Sequence, residues 1–294
     1  MSIGSIATPG LEFHQTAPVA EPSPGRTNPV AIASDRHATL SHLDFPGAAT
    51  FTPGRSWYVP LKRGIDLLLA SVLLVLTAPF IVAGALIVKL TSRGPAFYRQ
   101  VRLGKDGRPF TLFKLRTMRQ DAEAGTGPVW STENDPRITP IGHLFRRTHI
   151  DEFPQLWNVV KGEMSLVGPR PERPEFVARL DWEIPWYRER LNVQPGITGL
   201  AQLRLPADAS IDSVRQKVVY DLYYVRFMTP FMDVKLLFLT AWRLFCESVK
   251  FLRRAAVLPS HEEIERGYQF TAGMSLVPVD DEPVTLSSLS ETRV

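Results

Sequence analysis

The chain has 294 residues, of which 44% are hydrophobic, a formal net charge of +4 and a pI of about 9.3. This length and apolar content suffice for one domain with a buried core. The basic charge suits nucleic acid, an anionic membrane or phosphorylated substrates, but helix-turn-helix, zinc-finger and RNA-recognition motifs are absent from the sequence, so we predict no nucleic-acid partner. The single cysteine, Cys246, excludes an internal disulfide, and the six histidines lack the spacing of a zinc site.

The two ends of the sequence differ in composition from its middle. Residues 1–56 are rich in Pro, Gly, Ser, Thr and Ala, a composition that rarely buries a core, so we predict a disordered tail there. One domain is predicted over 57–258. A short helix followed by a second disordered tail is predicted over 259–294, because Ser260 and Glu263 have the spacing of a capping box.

Leu67 to Val88 is a run without a charged residue, and as a helix it would be about 33 Å long, enough to cross a bilayer. A buried core helix is the alternative. Positive charge marks the cytoplasmic side of a membrane segment, and here it flanks both ends of the run, while Pro79 interrupts helical hydrogen bonding near its middle. The flanking basic residues are Lys62, Arg63, Lys89, Arg93, Arg99, Arg102, Lys105 and Arg108. The pattern predicts a re-entrant helix over 65–90 that bends at Pro79 and returns to the same side.

A β-hairpin is predicted next. Ala96–Tyr98 and Phe110–Phe113 have the character of short strands, and Gly104–Gly107 has that of a turn between them. Alternation along the second strand places Lys114 and Arg116 on one face. From the residues alone this face is a solvated strand face.

Two adjacent carboxylates, Asp151 and Glu152, follow Arg146 and precede Pro154, which suits the first turn of a helix. A helix is predicted over 155–160, so the pair would lie near its N-terminus, where anions are favoured. The alternative is a helix cap with surface ion pairs.

A Pro-Arg-Pro loop follows the short apolar run 164–167. Its prolines, Pro169 and Pro171, fix the backbone that presents Arg170. Paired carboxylates beside arginines suit a divalent cation bound to a phosphate, because carboxylate oxygen binds hard cations and arginine binds phosphate oxygens bidentately.

The remaining elements are predicted as helices. Residues 175–192 read as a helix broken near Pro185, residues 213–226 as a second helix, and residues 233–252 as an amphipathic helix framed by basic side chains. The last of these suits the surface of an anionic membrane, with a core helix as the alternative.

Taken together, these motifs resemble the monotopic phosphoglycosyl transferases, which are bacterial sugar transferases that act on polyprenyl phosphate. The family's Asp-Glu dyad matches Asp151-Glu152, and its Pro-Arg-Pro loop matches residues 169–171. The family's Arg-Pro-Gly-Ile-Thr-Gly motif matches residues 194–199, except that Gln194 replaces the arginine. The resemblance covers about Lys62 to Leu244.

The resemblance implies an α+β fold, a small mixed cytosolic domain with an N-terminal re-entrant membrane helix and amphipathic surface helices. It also implies a place at the bacterial inner (cytoplasmic) membrane, with the catalytic domain facing the cytoplasm. The implied reaction moves a sugar-1-phosphate from a nucleotide diphosphate sugar, expected to be a UDP-sugar, to polyprenyl (undecaprenyl) phosphate. That step would initiate the synthesis of an exopolysaccharide or glycan.

The resemblance also implies residue roles. Asp151 would be the nucleophile, Glu152 and Asp151 would hold Mg²⁺, and Arg146, Arg170, Lys114 and Arg116 would bind the substrate phosphates. Two other functions are left open, a conventional glycosyltransferase that moves the sugar alone and a non-catalytic membrane adaptor. The sequence also leaves a homo-oligomer open and does not name the sugar.

Overall fold

The computed structural model describes residues 51–125, 127, 129, 135–206, 210–245 and 258–271. These ranges contain helices and short strands, as the predicted α+β class requires. The elements in chain order are α1 (Tyr58–Thr91), β1 (Phe97–Leu103), β2 (Pro109–Leu115), α2 (Pro140–Thr148), α3 (Gln155–Lys161), β3 (Ser165–Val167), α4 (Pro174–Glu183), β4 (Gly196–Thr198), α5 (Leu200–Arg204), α6 (Ile211–Phe227), α7 (Pro230–Phe245) and α8 (His261–Thr271).

Two small sheets lie within the described ranges. β1 and β2 form the predicted antiparallel hairpin, longer than expected, with Phe97 opposite Leu115. β3 pairs in parallel with β4, with Ser165 opposite Gly196. We did not predict this second sheet, because three-residue strands are too short to show an alternating pattern.

Helix α6 lies between two clusters of buried side chains. One cluster joins it to α3, β3 and α7 through Leu156, Leu166, Tyr224 and Leu236. The second cluster contains Phe51, which is fully buried although it belongs to the segment 1–56 that composition assigned to a tail. Residues 1–50 and 272–294, where disorder was predicted, lie outside the described residues.

Helix α1 is 34 residues long and continues through Pro79 as one helix. By length and composition it could cross a membrane, and 11% of its most apolar window is buried in the protein. The apolar side chains of its middle are exposed, among them Leu73, Leu76 and Phe80. This exposure indicates membrane association, whereas the predicted bend at Pro79 stays a prediction.

Both ends of α1 pack against the rest of the domain. Near the N-terminal end, Arg63 donates hydrogen bonds to the last carbonyls of α3, at Val159 (2.6 Å) and Val160 (2.9 Å). Near the C-terminal end, Val88 is buried against Leu115 of β2. The helix therefore touches the same domain on either side of its exposed middle.

A buried polar network fixes the N-terminal end of α1. Asp233 of α7 accepts hydrogen bonds from Lys62 (2.5 Å), Tyr58 (2.6 Å) and Tyr224 (2.7 Å). Asp66, one turn after Lys62, accepts from the hydroxyl of Ser165 in β3 at 2.7 Å. The network links α1 to the strand that leads into the Pro-Arg-Pro loop.

The later helices follow the predictions closely. The predicted break near Pro185 is present, because α4 ends at Glu183 and a 3-10 helix starts at Tyr187. The amphipathic helix is present as α7, and the part of it predicted beyond residue 245 lies outside the described residues. At the start of α8, Ser260 accepts from the backbone N–H of Glu263 at 3.1 Å, which is one of the two hydrogen bonds of the predicted capping box.

Candidate active site

The dyad lies in a one-turn 3-10 helix, Ile150–Glu152, between α2 and α3. It starts after His149, whose φ of 55° turns the chain away from α2. The backbone N–H of Glu152 donates to His149 at 3.1 Å, and that of Phe153 donates to Ile150 at 3.2 Å. The dyad therefore lies just before the N-terminus of α3, as predicted, while these two amides are used within the turn and are not offered to an anion.

Two cations hold Glu152. Lys114 of β2 donates to its Oε1 at 2.6 Å, and Arg170 of the Pro-Arg-Pro loop donates to the same oxygen at 3.1 Å. Burial by itself would raise the pKa of Glu152, but the charges of Lys114 and Arg170 outweigh burial and hold this pKa well below its usual range. Glu152 is therefore a stable anion at neutral pH.

Asp151 has a different environment. It is 6% exposed, and its Oδ1 is buried without a hydrogen-bond partner in the described structure. Burial raises the pKa of Asp151; Lys114 opposes this shift, and the neighbouring charge of Glu152 adds to it. A buried carboxylate oxygen without a partner is costly, so the anion of Asp151 is less stabilised than that of Glu152.

Arg146 stands beside the dyad, held by the end of β2. Its Nε donates to the hydroxyl of Thr117 at 3.0 Å. Burial lowers the pKa of Arg146, and Asp151 is the acidic group that most opposes this shift. The structure therefore places Arg146 and Lys114 beside the dyad, and their predicted role in binding the substrate phosphates stays a prediction.

Arg116 is placed elsewhere. Its guanidinium donates to the backbone carbonyls of Arg93 (2.6 Å) and Ser92 (3.1 Å) and to the Ser92 hydroxyl (2.7 Å). These are the carbonyls just beyond the end of α1, where a cation is favoured. The structure thus assigns Arg116 to closing the end of α1 and does not bring its charged group to Glu152 as it does that of Lys114.

Gln194, which stands where the family motif has arginine, lies next to the N-terminal part of α1. Gln194 lines a small cavity together with Lys62, Arg63 and Asp66. Arg204, which the sequence offers as a nearby cation, donates to the carbonyls of Leu258 and Pro259 ahead of α8.

Sequence analysis missed two residues of the site. Arg190 and Arg102 donate hydrogen bonds to carbonyls of the Pro-Arg-Pro loop. Each is one arginine among several in a polar segment, so no local pattern distinguishes it from a solvated surface residue.

A metal ion would need ligands beyond the protein. Within the described ranges, no group of three or more His, Cys, Asp and Glu side chains could hold one. Mg²⁺ is commonly bound through one or two carboxylates, with substrate phosphates and water completing its shell. The unpartnered Oδ1 of Asp151 beside the ionised Glu152 fits that mode of binding.

The site therefore combines a buried carboxylate oxygen without a partner, an ionised carboxylate and cations, in a domain that carries a long apolar helix. Such groups are of the kinds that bind phosphate and a divalent cation in proteins. The sequence profile described as "Bacterial sugar transferase" matches residues 57–247, and the chain belongs to this family.

Similar proteins carry names from one reaction class. A UDP-N-acetylgalactosamine-undecaprenyl-phosphate N-acetylgalactosaminephosphotransferase of Aeromonas hydrophila is 42% identical over 183 residues, 62% of this chain and 43% of that protein. A UDP-glucose:undecaprenyl-phosphate glucose-1-phosphate transferase of Escherichia coli (strain K12) is 40% identical over 188 residues, 63% of this chain and 40% of that protein. The chain thus spans less than half the length of these two relatives.

A shorter relative is covered almost completely. The exopolysaccharide production protein PSS of Rhizobium leguminosarum bv. phaseoli is 40% identical over 184 residues, 60% of this chain and 92% of that protein. The resemblance inferred from the motifs is confirmed by these similarities.

The pKa shifts predict a pH dependence. The family resemblance implies that Asp151 is a nucleophile, which needs its ionised form. Because burial raises the pKa of Asp151, kcat/KM should fall as the pH drops through that raised pKa. Lys114 is the strongest opposing charge, so Lys114→Met should move this acidic limb to higher pH by about 1 unit. Lys161→Met, at an exposed ion pair, is the control and should leave the limb in place. An unmoved limb in Lys114→Met would contradict the assignment.

Proposed function

We propose that this protein transfers a sugar-1-phosphate from a UDP-sugar to undecaprenyl phosphate and so initiates the synthesis of an exopolysaccharide or glycan. The observation that carries the proposal is the buried Asp151, whose Oδ1 has no partner, next to Glu152 held by Lys114 and Arg170. Membership of the sugar transferase family and the names of the relatives support the donor and acceptor.

The first half of the reaction is carried by Asp151. Its carboxylate attacks the phosphorus that bears the sugar, an acyl phosphate forms, and the bond to the nucleoside monophosphate breaks. The buried turn that holds Asp151 fixes the direction of its oxygen, so that the reacting atoms are kept in position.

In the second half, an oxygen of the lipid phosphate attacks the phosphorus of the acyl phosphate. The product is a diphosphate that joins sugar and lipid, and the carboxylate of Asp151 is restored. Arg170 and Arg146 stabilise the charge that develops on the phosphoryl oxygens, and Lys114 keeps Glu152 ionised.

Glu152 and Asp151 are the residues that would hold Mg²⁺. When bound there, the ion would neutralise the charge of the diphosphate. Activity should therefore need Mg²⁺ or Mn²⁺ and disappear in excess chelator. Glu152→Gln should lower activity by roughly 100-fold or more while the protein stays folded, since oxyanion-type charge stabilisation has about this magnitude. Full turnover in chelator would reject the metal.

The membrane arrangement we propose is re-entrant, at the inner membrane with the catalytic domain facing the cytoplasm. Its support is that Lys62 and Val88, on either side of the exposed middle of α1, both pack against one domain. A helix that crossed the bilayer would place its ends on opposite sides, and one domain could not contact both.

Cysteine labelling tests this topology. In a Cys246→Ser background, Ser56→Cys and Gln120→Cys introduce exposed thiols on the two flanks of α1. Both should react with an impermeant maleimide only after the cells are opened. If intact cells label Ser56→Cys, α1 spans the membrane and the re-entrant arrangement is wrong.

The released nucleotide tests the reaction itself. Purified protein, undecaprenyl phosphate and a panel of UDP-sugars should release UMP together with a lipid-linked sugar diphosphate. Release of UDP would instead identify a conventional glycosyltransferase. Absence of product with every donor would favour the adaptor function.

A further inference from the structure

The Pro-Arg-Pro loop is held by its backbone carbonyls. Each of the four consecutive carbonyl oxygens from Pro169 to Glu172 accepts a hydrogen bond from a different residue. In order, the donors are Gly196 N (2.8 Å), Arg190 Nη2 (3.0 Å), Arg102 Nη1 (3.0 Å) and Leu103 N (3.0 Å). Two of these donors are arginine side chains, so the loop depends on residues well separated from it in sequence.

Arg190 is the donor that binds Arg170 itself. Its Nη2 donates to the Arg170 carbonyl at 3.0 Å and to Oδ2 of Asp221 at 2.6 Å, and its Nη1 donates to the hydroxyl of Tyr187 at 2.9 Å. Arg190, Asp221 and Tyr187 are all buried. The guanidinium is therefore held in place by Asp221 of α6 and Tyr187 of the 3-10 helix, in addition to its contact with the loop.

Arg170 needs such support, because its own side chain is long and 42% exposed. Pro171 restricts its backbone to extended conformations, so the position of its carbonyl determines the direction in which the side chain leaves the loop. From there the guanidinium reaches Glu152.

We propose that Arg190 is a positioning residue for the reaction, which holds Arg170 in place through its backbone carbonyl. The inference rests on the proposed function and names a residue that does not touch the dyad in the described structure. Lysine at position 190 would keep the charge, but its single nitrogen cannot occupy the positions of both Nη1, which contacts Tyr187, and Nη2, which contacts Asp221 and the carbonyl.

The test is a kinetic cycle of wild type, Arg190→Lys, Arg170→Ala and the double variant. Arg190→Lys should lower kcat by about 10- to 100-fold with little change in KM, since a small misplacement of a catalytic group has an effect of this size. In the Arg170→Ala background, Arg190→Lys should lower kcat by less than about 3-fold, because the Arg170 side chain that Arg190 positions is already absent. Arg179→Lys is the matched control at an exposed ion pair with Glu183 and should behave as wild type.

Hydrogen exchange gives a readout that does not depend on activity. The peptide 164–173 should exchange faster in Arg190→Lys than in Arg179→Lys. If Arg190→Lys fails to fold, Arg102→Lys loosens the same loop at Pro171 and should show the same non-additive loss of kcat.

The outcomes separate the inference from the proposed function. If wild type transfers no sugar phosphate, the proposed function fails, and unchanged exchange in Arg190→Lys would overturn the inference as well. If wild type is active but Arg190→Lys leaves kcat unchanged, the positioning role is wrong while the function stands. The same conclusion follows if Arg190→Lys lowers kcat by the same factor with Arg170→Ala as without it.

Discussion

Asp151→Asn is expected to lower turnover by a factor on the order of 10⁴ or more, because loss of a nucleophile removes the covalent route altogether. Asparagine matches aspartate in size, and burial already disfavours the charge at this site, so the variant should unfold at the same temperature as wild type or at a higher one. The measurement is lipid-linked product formed per unit time, beside a thermal unfolding curve.

Asp212→Asn is the control for this variant. Asp212 is 85% exposed at the start of α6, so its replacement should leave turnover unchanged. If Asp151→Asn retained turnover near that of the control, a different residue would have to be the nucleophile.

Asp233→Ala should have the largest effect on stability. It would remove the acceptor for Lys62, Tyr58 and Tyr224 and leave these polar groups buried with fewer partners. Breaking a buried ion pair from one side costs roughly 3–5 kcal/mol, which should lower the unfolding temperature by on the order of 10 °C.

The unfolding temperatures of wild type and variants should be compared in the same detergent. Asp212→Ala, the exposed counterpart, should cost less than about 1 kcal/mol. Equal unfolding temperatures for the two variants would show that the network between α1 and α7 contributes little. Because the network joins α1 to the domain, Asp233→Ala should also make the α1 peptides more sensitive to protease.

Sequence alone identified the parts of the site that have local patterns. The dyad, the Pro-Arg-Pro loop and the hairpin bearing Lys114 are short motifs whose order and spacing are readable directly. The contacts between them were not readable, because Lys114 meets Glu152 across 38 residues, and Lys62 meets Asp233 across 171.

Arg116 shows why a shared strand face does not settle a shared function. Alternation placed it with Lys114, yet the carbonyls beyond the end of α1 are its partners. The partners of the Arg116 guanidinium depend on which acceptor groups the tertiary packing brings close to it. For the same reason Arg190 could not be recognised in advance, since its role exists only where α6 meets the loop.

The central claim is the covalent intermediate on Asp151, and intact-protein mass spectrometry tests it most directly. Purified enzyme mixed with its UDP-sugar and Mg²⁺, without lipid acceptor, should gain the mass of one sugar phosphate and release about one equivalent of UMP, the stoichiometry of a ping-pong half-reaction. Added undecaprenyl phosphate should remove the extra mass, and Asp151→Asn should never acquire it. An unmodified wild-type enzyme that forms product at full rate once lipid is added would contradict the account.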